Sequence, residues 1–239
     1  MNNISKLKNI GKNKRIFLVG NGPSLNDMDL NLLDGEYSIA MNRISLIYPK
    51  TKWRPTYYIF TSSNCHDSRW GNEWCKSISK ASHEKTTTPI IWSRYKNEIE
   101  KRSQALPTDT IYLDTVSEHS IGSEKSFSTN AEEIIDKSGT TMNIALQLAY
   151  YMKFSEVYLI GCDSNWETAK HTKTFGDPNH FDKSYHAYIG DGQVEFNRMN
   201  NTHIRAKKEF GKAGINIKNA GLNSAITAYD KVEFTELFK

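Results

Sequence analysis

Seven short apolar runs along the chain predict buried β-strands. Each run is bounded by charged, polar or glycine residues, which is how a strand covered on both faces appears in a sequence. The predicted strands are Arg15–Gly20, Tyr37–Asn42, Thr56–Ser62, Pro89–Trp92, Thr110–Leu113, Glu156–Gly161 and Ile215–Asn219.

The segments between these runs include the clearest helical pattern, over 140–152. Apolar residues recur there at i, i+3, i+4 and i+7 from Met142 to Met152, which predicts one buried stripe. Further helices are predicted over 196–213, in part over 64–88, and from Ser24 or Asn26 through Leu30 and Leu33.

Strands that alternate with helices predict an α/β protein with a Rossmann-like, doubly wound and mostly parallel sheet. We expect one domain over 15–239, in which 64–135 is either an insertion or lid or part of the core. A loop with a partial helix is expected over 114–137. A long loop or lid is expected over 164–195, after the strand that leads to Asp163.

Composition agrees with one large domain, because the chain has 239 residues and 38% of them are hydrophobic. Lys plus Arg exceed Asp plus Glu by 31 − 27 = 4, which is too small an excess for a nucleic-acid binder. No apolar run reaches the ~18 residues of a membrane span. Cys65, Cys75 and Cys162 have no CxxC spacing, so we expect a reducing, cytoplasmic location without a structural zinc.

Residues 1–14 are polar and rich in lysine, so we expect a flexible basic arm. A solvated tail is one interpretation. Contact with an anionic membrane surface, at the inner face of the membrane, is the other.

Ligands of doubly wound sheets bind beyond the carboxyl ends of the strands. After the first strand, Gly20-Asn21-Gly22-Pro23-Ser24 predicts a tight turn that lets the backbone approach a ligand, followed by a helix start that favours anions. Leu25 stands where a dinucleotide fingerprint would need its third glycine, and no P-loop is present. A plain structural turn remains the alternative.

Short polar residues follow several other strands. They suit hydrogen bonds to a ribose and a base, although each alone is also a common turn or cap residue. Asp163 could bind a hydroxyl group, a metal or a proton. No HExxH motif is present, so we predict no metal cofactor. The polar residues at strand ends are Asn21, Asn42, Ser62, Ser63 and Asn64.

The long loop contains His171, His180 and His186. Histidine is the most frequent general base, and this spacing does not match a helical zinc pair. Tyr185 and Tyr188 could donate hydrogen bonds to a phosphate. Surface histidines and core tyrosines are the competing interpretations.

Several motifs resemble bacterial CMP-sialic-acid sialyltransferases of glycosyltransferase family 42, and a related family of flagellin-glycosylation factors and archaeal pterin diphosphokinases. They cover about 15–62 and 136–234. These motifs are Val19-Gly-Asn-Gly-Pro-Ser-Leu25, Asn42, Ser138-Gly-Thr140, Val157-Tyr-Leu-Ile-Gly-Cys-Asp163, Asn179-His180-Phe181 with Tyr185, and Asn219-Ala-Gly-Leu-Asn-Ser224.

The resemblance implies a nucleotide-sugar fold in which a loop histidine deprotonates the acceptor hydroxyl and no metal is needed. The sequence departs from the sialyltransferases at Asn165 and His171, which stand at tyrosine positions, and lacks the arginine before Ser-Gly. The residues implied to contact CMP are Asn21, Ser24, Asn42, Ser138, Gly139 and Asp163.

We therefore expect a glycosyltransferase that moves an acidic, sialic-acid-like sugar from a CMP donor to a bacterial surface glycan or glycolipid. His180 is the predicted base and His186 the second choice. Gly20, Gly22, Ser62 and Thr140 complete the predicted nucleotide site. The groups expected to stabilise the departing CMP are Asn165, His171, Tyr185 and Tyr188.

Two alternatives remain. One is a Mg²⁺- and ATP-dependent pyrophosphokinase that acts on a pterin-like alcohol, with Asp163 as a metal ligand. The other is a non-catalytic nucleotide-binding subunit of a glycan assembly complex. We expect a homo-oligomer in each case.

Overall fold

The fold is taken from a computed structural model that describes residues 3–114, 116–117, 127–138, 140–165, 177–186 and 192–239, with only the backbone over 192–196. Its strands are β1 Arg15–Val19, β2 Tyr37–Met41, β3 Tyr57–Phe60, β4 Thr88–Trp92, β5 Ile111–Leu113, β6 Val116–Ser117, β7 Ile135–Asp136, β8 Glu156–Ile160, β9 Asn216–Asn219 and β10 Asp230–Lys231. Its α-helices are α1 Gly71–Ser82, α2 Lys96–Arg102, α3 Thr141–Tyr151 and α4 Gly192–Lys212.

The main sheet has the strand order β10-β9-β8-β1-β2-β3-β4-β5, and β6 and β7 form a separate pair. Every described pairing is parallel; Leu18 of β1, for example, lies opposite Ile39 of β2 and Leu159 of β8. The chain builds outward from β1 to β5 and then returns to the other side of β1. The predicted doubly wound, mostly parallel α/β fold is therefore confirmed, and its switch point lies between β1 and β8.

Alternate residues of β1 enter two hydrophobic cores, one on each face of the sheet. Ile16 and Leu18 pack in the core that contains Ile144 of α3. Phe17 and Val19 pack in the core that contains Trp74 of α1. Full burial of such side chains stabilises a fold by about 1.5–3 kcal/mol each, so this strand fixes both layers to the sheet.

Residues 64–113 contribute strands to the main sheet and are therefore part of the core fold rather than an insertion or lid. They contain α1, β4, α2 and β5, and both strands pair within the main sheet. The helix predicted in part over 64–88 is α1. The partial helix expected over 114–137 is wrong for the described residues, which form β6, β7 and turns instead.

The flexible arm predicted for 1–14 is also wrong over residues 3–14. Asn3–Leu7 forms a 3₁₀-helix whose Ile4 and Leu7 are buried. The Gly11 amide donates to the Met152 carbonyl oxygen at 2.8 Å. Ile4 and Leu7, three positions apart, thus give this lysine-rich segment a buried side. None of the described helices combines the length and the apolar composition that a membrane span requires.

The long loop after Asp163 ends earlier than predicted, because α4 begins at Gly192 rather than near 196. Its described parts are Ser164, Asn165 and the segment 177–186, which is called the loop segment below. The loop segment forms turns that pack against the carboxyl edge of the main sheet.

Candidate active site

The turn after β1 packs directly on the residues after β8. The Gly20 amide donates to Ile160 O at 2.9 Å, and the Gly22 amide donates to Gly161 O at 2.8 Å. A Cβ atom on Gly22 would lie 2.4 Å from the carboxyl carbon of Asp163. Glycine at this position therefore allows the turn and the acidic residue to meet at the switch point.

Ser24 and Asp163 join the two sides of the switch point. The Ser24 amide donates to Oδ2 of Asp163 at 2.8 Å, and the Ser24 hydroxyl donates to Oδ1 at 2.5 Å. Burial raises the pKa of Asp163, while the bonds from Ser24 and the nearby His180 lower it. Asp163 is further fixed because its backbone oxygen accepts from the Ala225 amide at 2.7 Å.

Asn21 and Asn42 follow the neighbouring strands β1 and β2. The Asn21 side-chain nitrogen donates to Met41 O at 3.3 Å. In the described part of the chain, Oδ1 of Asn21 and Oδ1 of Asn42 are buried and accept no hydrogen bond. A buried acceptor without a donor costs about 1–3 kcal/mol. These two oxygens therefore suit a ligand that supplies N–H or O–H groups.

Asn42 has a left-handed backbone with φ of 56°. Asparagine tolerates this region better than most residues. Its carbonyl oxygen accepts from the Tyr58 hydroxyl at 2.6 Å. The bend turns the chain from β2 into the 3₁₀-turn Ile44–Leu46 and keeps the Asn42 side chain at the edge of the sheet.

The loop segment closes over the turn after β1. The Phe181 amide donates to Asn21 O at 3.0 Å, and the Asn26 side chain donates to Phe181 O at 2.9 Å. These bonds hold residues from the second half of the chain against the first. His180, the predicted base, is consequently brought to the switch point beside Asp163.

His180 is oriented by two neighbours. Its Nδ1 lies 2.9 Å from Oδ2 of Asp177, whose carboxylate is fully buried. Its ring is stacked on the ring of Tyr185, with 3.8 Å between the ring centres and 6° between the planes. This is the arrangement of a histidine base with an orienting acid. Sequence reasoning missed Asp177, although an acid three residues before a candidate base was a usable signal.

Arg43 holds the loop segment through its backbone carbonyl oxygens. This role was not predicted from the sequence. Arg43 is 4% exposed, and its Nη1 donates to Ser184 O at 2.6 Å and to Tyr185 O at 2.8 Å. Its Nε donates to the Ser77 hydroxyl at 3.1 Å. Burial lowers the pKa of Arg43. Its position directly after Asn42 was the only signal in the sequence.

Tyr185 lies beneath His180 and is 1% exposed. Its hydroxyl accepts from the Arg43 amide at 3.5 Å, and burial raises its pKa. The sequence predicted contact between this hydroxyl and a leaving phosphate. The structure instead places the Tyr185 hydroxyl among protein groups, because the Tyr185 ring is stacked on the His180 imidazole.

His186, the second predicted base, packs beside the start of α1. Its ring is stacked on Trp70 with 3.8 Å between the ring centres, and its carbonyl oxygen accepts from Nε1 of Trp74 at 3.2 Å. The described contacts therefore bring His180, and not His186, to the turn after β1.

Ser138 and Thr140 lead into α3. The Ser138 amide donates to Oδ1 of Asp136 at 2.6 Å. Thr140 caps the helix, because its hydroxyl accepts from the Met142 amide at 3.3 Å. The Thr61 and Thr141 hydroxyls lie 3.3 Å apart, which places the helix start over the end of β3.

Two buried amides on α3 hold β7 and Ser138 in place. Nε2 of Gln147 donates to Asp136 O at 2.6 Å, and its Oε1 accepts from the Asp136 amide at 2.9 Å. Nδ2 of Asn143 donates to Ser138 O at 3.2 Å. The helix thereby fixes β7 and Ser138 before its own first turn.

The remaining predicted residues have local partners or are not described. Ser62 accepts from the Asn64 amide at 3.3 Å and caps the 3₁₀-turn Ser63–His66. The exposed side chain of Asn165 donates to Asn223 O at 2.5 Å. Gly139, His171 and Tyr188 lie outside the described residues. No three His, Cys, Asp or Glu side chains within the described ranges converge as metal ligands.

Comparison with known families adds to this geometry. Residues 1–168 match the family model described as 6-hydroxymethylpterin diphosphokinase MptE-like. The chain belongs to this MptE-like family. The match confirms the resemblance to the pterin diphosphokinase group that the motifs after β1 and β8 indicated.

A solved structure extends the similarity of this MptE-like chain. The chain is similar to the solved structure of the MAf glycosyltransferase from Magnetospirillum magneticum AMB-1, with 15% sequence identity and a TM-score of 0.57. The similarity covers 97% of this chain and 37% of the other, so the chain spans little more than a third of that protein. At this identity the similarity confirms the fold. A search of curated proteins found no match.

Proposed function

We propose that the protein is a glycosyltransferase that binds a nucleotide-activated sugar across the ends of β8, β1 and β2. The observation that carries this proposal is the convergence at the switch point. There the Asp177–His180 pair lies against the turn in which Ser24 holds Asp163. The proposed nucleotide contacts and the oriented imidazole thus lie at the same switch point.

The two unpaired amide oxygens are the proposed nucleotide contacts. Oδ1 of Asn21 and Oδ1 of Asn42 are acceptors, so they suit the amino group of a base and the hydroxyl groups of a ribose. Cytidine carries both kinds of donor. The start of α3, which Thr140 caps, carries the partial positive charge of a helix N-terminus and is the proposed contact for the phosphate.

In the proposed reaction, Asp177 holds the Nδ1 proton of His180, which directs Nε2 toward the acceptor. Nε2 takes the proton of the acceptor hydroxyl as its oxygen bonds to the anomeric carbon. The bond from that carbon to the phosphate oxygen breaks, and CMP leaves with the electron pair. Tyr185 supports the imidazole, and His171 and Tyr188 remain candidates for stabilising the departing phosphate.

The proposed donor is CMP that carries an acidic, sialic-acid-like sugar, and the proposed acceptor is a bacterial surface glycan or glycolipid. This assignment is supported by the motifs shared with CMP-dependent sialyltransferases. The MAf protein's description as a glycosyltransferase supports the reaction class. A cytoplasmic location beside the membrane would give access to both substrates.

The family description favours a second candidate, a diphosphokinase that transfers pyrophosphate from ATP to a pterin-like alcohol. Such an enzyme needs Mg²⁺. Both carboxylate oxygens of Asp163 already accept from Ser24, and no cluster of metal ligands occurs within the described ranges. The described residues therefore do not form a Mg²⁺ site.

A thermal-shift panel of CMP, CDP, UDP, GDP and ATP, each with and without Mg²⁺, separates the candidates, since a ligand of the folded state raises its apparent stability. The proposal expects stabilisation by CMP without Mg²⁺, and loss of that effect in Asn21→Leu. Stabilisation only by ATP with Mg²⁺ would favour the diphosphokinase. No response to any cytidine nucleotide would contradict the proposed donor.

A further inference from the structure

The buried side chain of Arg43 connects α1 to the loop segment. Its Nε donates to the Ser77 hydroxyl of α1 at 3.1 Å, and its Nη1 donates to Ser184 O and Tyr185 O at 2.6 and 2.8 Å. A guanidinium holds its donors in a rigid plane, and a buried cation is tolerated where hydrogen bonds satisfy it. Arg43 therefore fixes two consecutive carbonyl groups of the loop segment against the helix.

Tyr185 is held by Arg43 at its backbone and at the far end of its ring. Its carbonyl oxygen accepts from Nη1 of Arg43, and its hydroxyl accepts from the Arg43 amide at 3.5 Å. The ring between these two bonds is stacked on the His180 imidazole, with 3.8 Å between the ring centres. A displacement of Arg43 would therefore change the surface on which the proposed base is stacked.

The stretch that contains the proposed base is attached at both ends to residues beside the proposed nucleotide contacts. At one end, the Phe181 amide donates to Asn21 O at 3.0 Å. At the other end, Tyr185 is held by Arg43, which directly follows Asn42 in the chain. Oδ1 of Asn21 and Oδ1 of Asn42 are buried and accept no hydrogen bond from the described part of the chain. A ligand that binds these two oxygens would therefore also restrain the backbone that carries the base.

We propose that Arg43 is a positioning residue of the transfer reaction, which keeps the Tyr185 ring stacked on the His180 imidazole and links that base to the nucleotide contacts. The role in transfer rests on the proposed function, whereas the hold of Arg43 on the loop segment does not. The described contacts of Arg43 reach His180 through Tyr185. Its loss is therefore expected to misplace the imidazole and lower kcat, rather than weaken donor binding.

Native-state hydrogen exchange tests the hold on the loop segment, because its amides exchange when the segment opens locally. The amides of Phe181 and Tyr185, which donate to Asn21 O and Asp182 O, are expected to exchange about tenfold faster in Arg43→Gln. Amides within β8 and α3 are expected to stay within about twofold of wild type. Arg43→Lys keeps the charge and fewer of the bonds, so an intermediate rate is expected, and it carries the test if Arg43→Gln does not fold.

Arg54→Gln is the matched control. Nη1 of Arg54 also donates to two backbone carbonyl oxygens, those of Thr51 at 3.0 Å and Trp53 at 2.8 Å, and neither belongs to the loop segment. Exchange of the loop segment in this variant is expected to match wild type. Equal acceleration in Arg54→Gln, or acceleration throughout the molecule in the Arg43 variants, would overturn the proposal, since either result indicates a general loss of stability.

Steady-state kinetics with a CMP-activated sugar completes the test. Arg43→Gln is expected to lower kcat about tenfold or more while KM for the donor stays within about threefold, and Arg43→Lys is expected to recover part of the loss. In wild type, CMP is expected to slow exchange of the Phe181 amide. Unchanged kcat, unchanged loop-segment exchange in Arg43→Gln, or CMP that stabilises the protein without slowing this amide would each overturn the proposal.

Thermal shifts with CMP on the same samples separate this proposal from the proposed function. No stabilisation of wild type by CMP would refute the nucleotide site. The exchange rates of the Arg43 variants would then still decide whether Arg43 holds the loop segment, because they are measured without a ligand.

Discussion

At the scale of the residue, Gly22 illustrates how a missing side chain shapes the crevice. A Cβ atom there would lie within 2.6 Å of both Asp163 carboxylate oxygens, which Ser24 already holds in place. The carboxylate cannot yield without breaking those bonds. The switch-point geometry therefore depends on glycine at this position.

Gly22→Ala is accordingly expected to lower the free energy of unfolding by about 1–3 kcal/mol, as overpacking usually does. Gly211→Ala is the matched control, because it lies in α4 with open space around its would-be Cβ. That variant is expected to gain about 0.5–1 kcal/mol. Urea unfolding of both variants measures the difference, and equal stabilities would contradict the close packing at Gly22.

Asp177 and His180 make the second prediction at this scale. His180→Ala is expected to lower turnover by about 10²–10⁴-fold while CMP binding is retained. Asp177→Asn is expected to cause a loss of similar size, because an amide no longer holds the Nδ1 proton. Transfer rates and CMP thermal shifts, measured side by side, test both.

The control for this pair is His186→Ala, which removes the other described histidine of the loop segment. Its ring contacts Trp70 rather than the turn after β1, so a smaller loss is expected. Unchanged turnover in His180→Ala would remove His180 from the mechanism. A larger loss in His186→Ala would exchange the two roles.

At the scale of the element, the sequence was most informative where burial is two-sided. β1, β2, β3 and β8 were predictable because their apolar runs are covered on both faces. β6, β7 and β10 have two residues each, which is too short for a pattern. Arg43 was missed because its role arises only when the loop segment folds back onto β1 and β2, whereas Asp177 was missed although it stands three residues before His180.

The helix α4 is joined to the end of the chain by a buried polar pair that no periodicity showed. Nδ1 of His203 lies 3.0 Å from the Tyr229 hydroxyl, and His203 is 2% exposed. Burial lowers the pKa of His203 from 6.5 to about 4. Because protonation is easier in the unfolded chain, the contribution of His203 to stability is present above pH 6.5 and is lost as the pH falls toward 4.

His203→Gln keeps a polar partner for Tyr229 but does not titrate. The stability of wild type relative to this variant is expected to fall by about 1.4 kcal/mol per pH unit between pH 6 and pH 4.5. Urea unfolding over this range provides the comparison. A difference that does not change with pH would show that His203 is protonated equally in both states.

At the scale of the whole molecule, the doubly wound topology explains why residues far apart in sequence share one edge. Turns that follow β8, β1 and β2 meet there, and the loop segment and the start of α3 close the same edge. The family and fold were predictable from motifs at two of these turns. The CMP donor and the glycan acceptor stay predictions, because their contacts depend on side-chain positions at this edge.

The most direct measurement is a crystal structure of the protein with CMP. We predict CMP in the crevice between β1 and β8, with its N–H or O–H groups donating to Oδ1 of Asn21 and Oδ1 of Asn42. The His180 imidazole is predicted to face the phosphate end of CMP, where the sugar and the acceptor would lie, rather than the base. An empty crevice at saturating CMP, or CMP bound with His180 directed away from it, would contradict the proposed site.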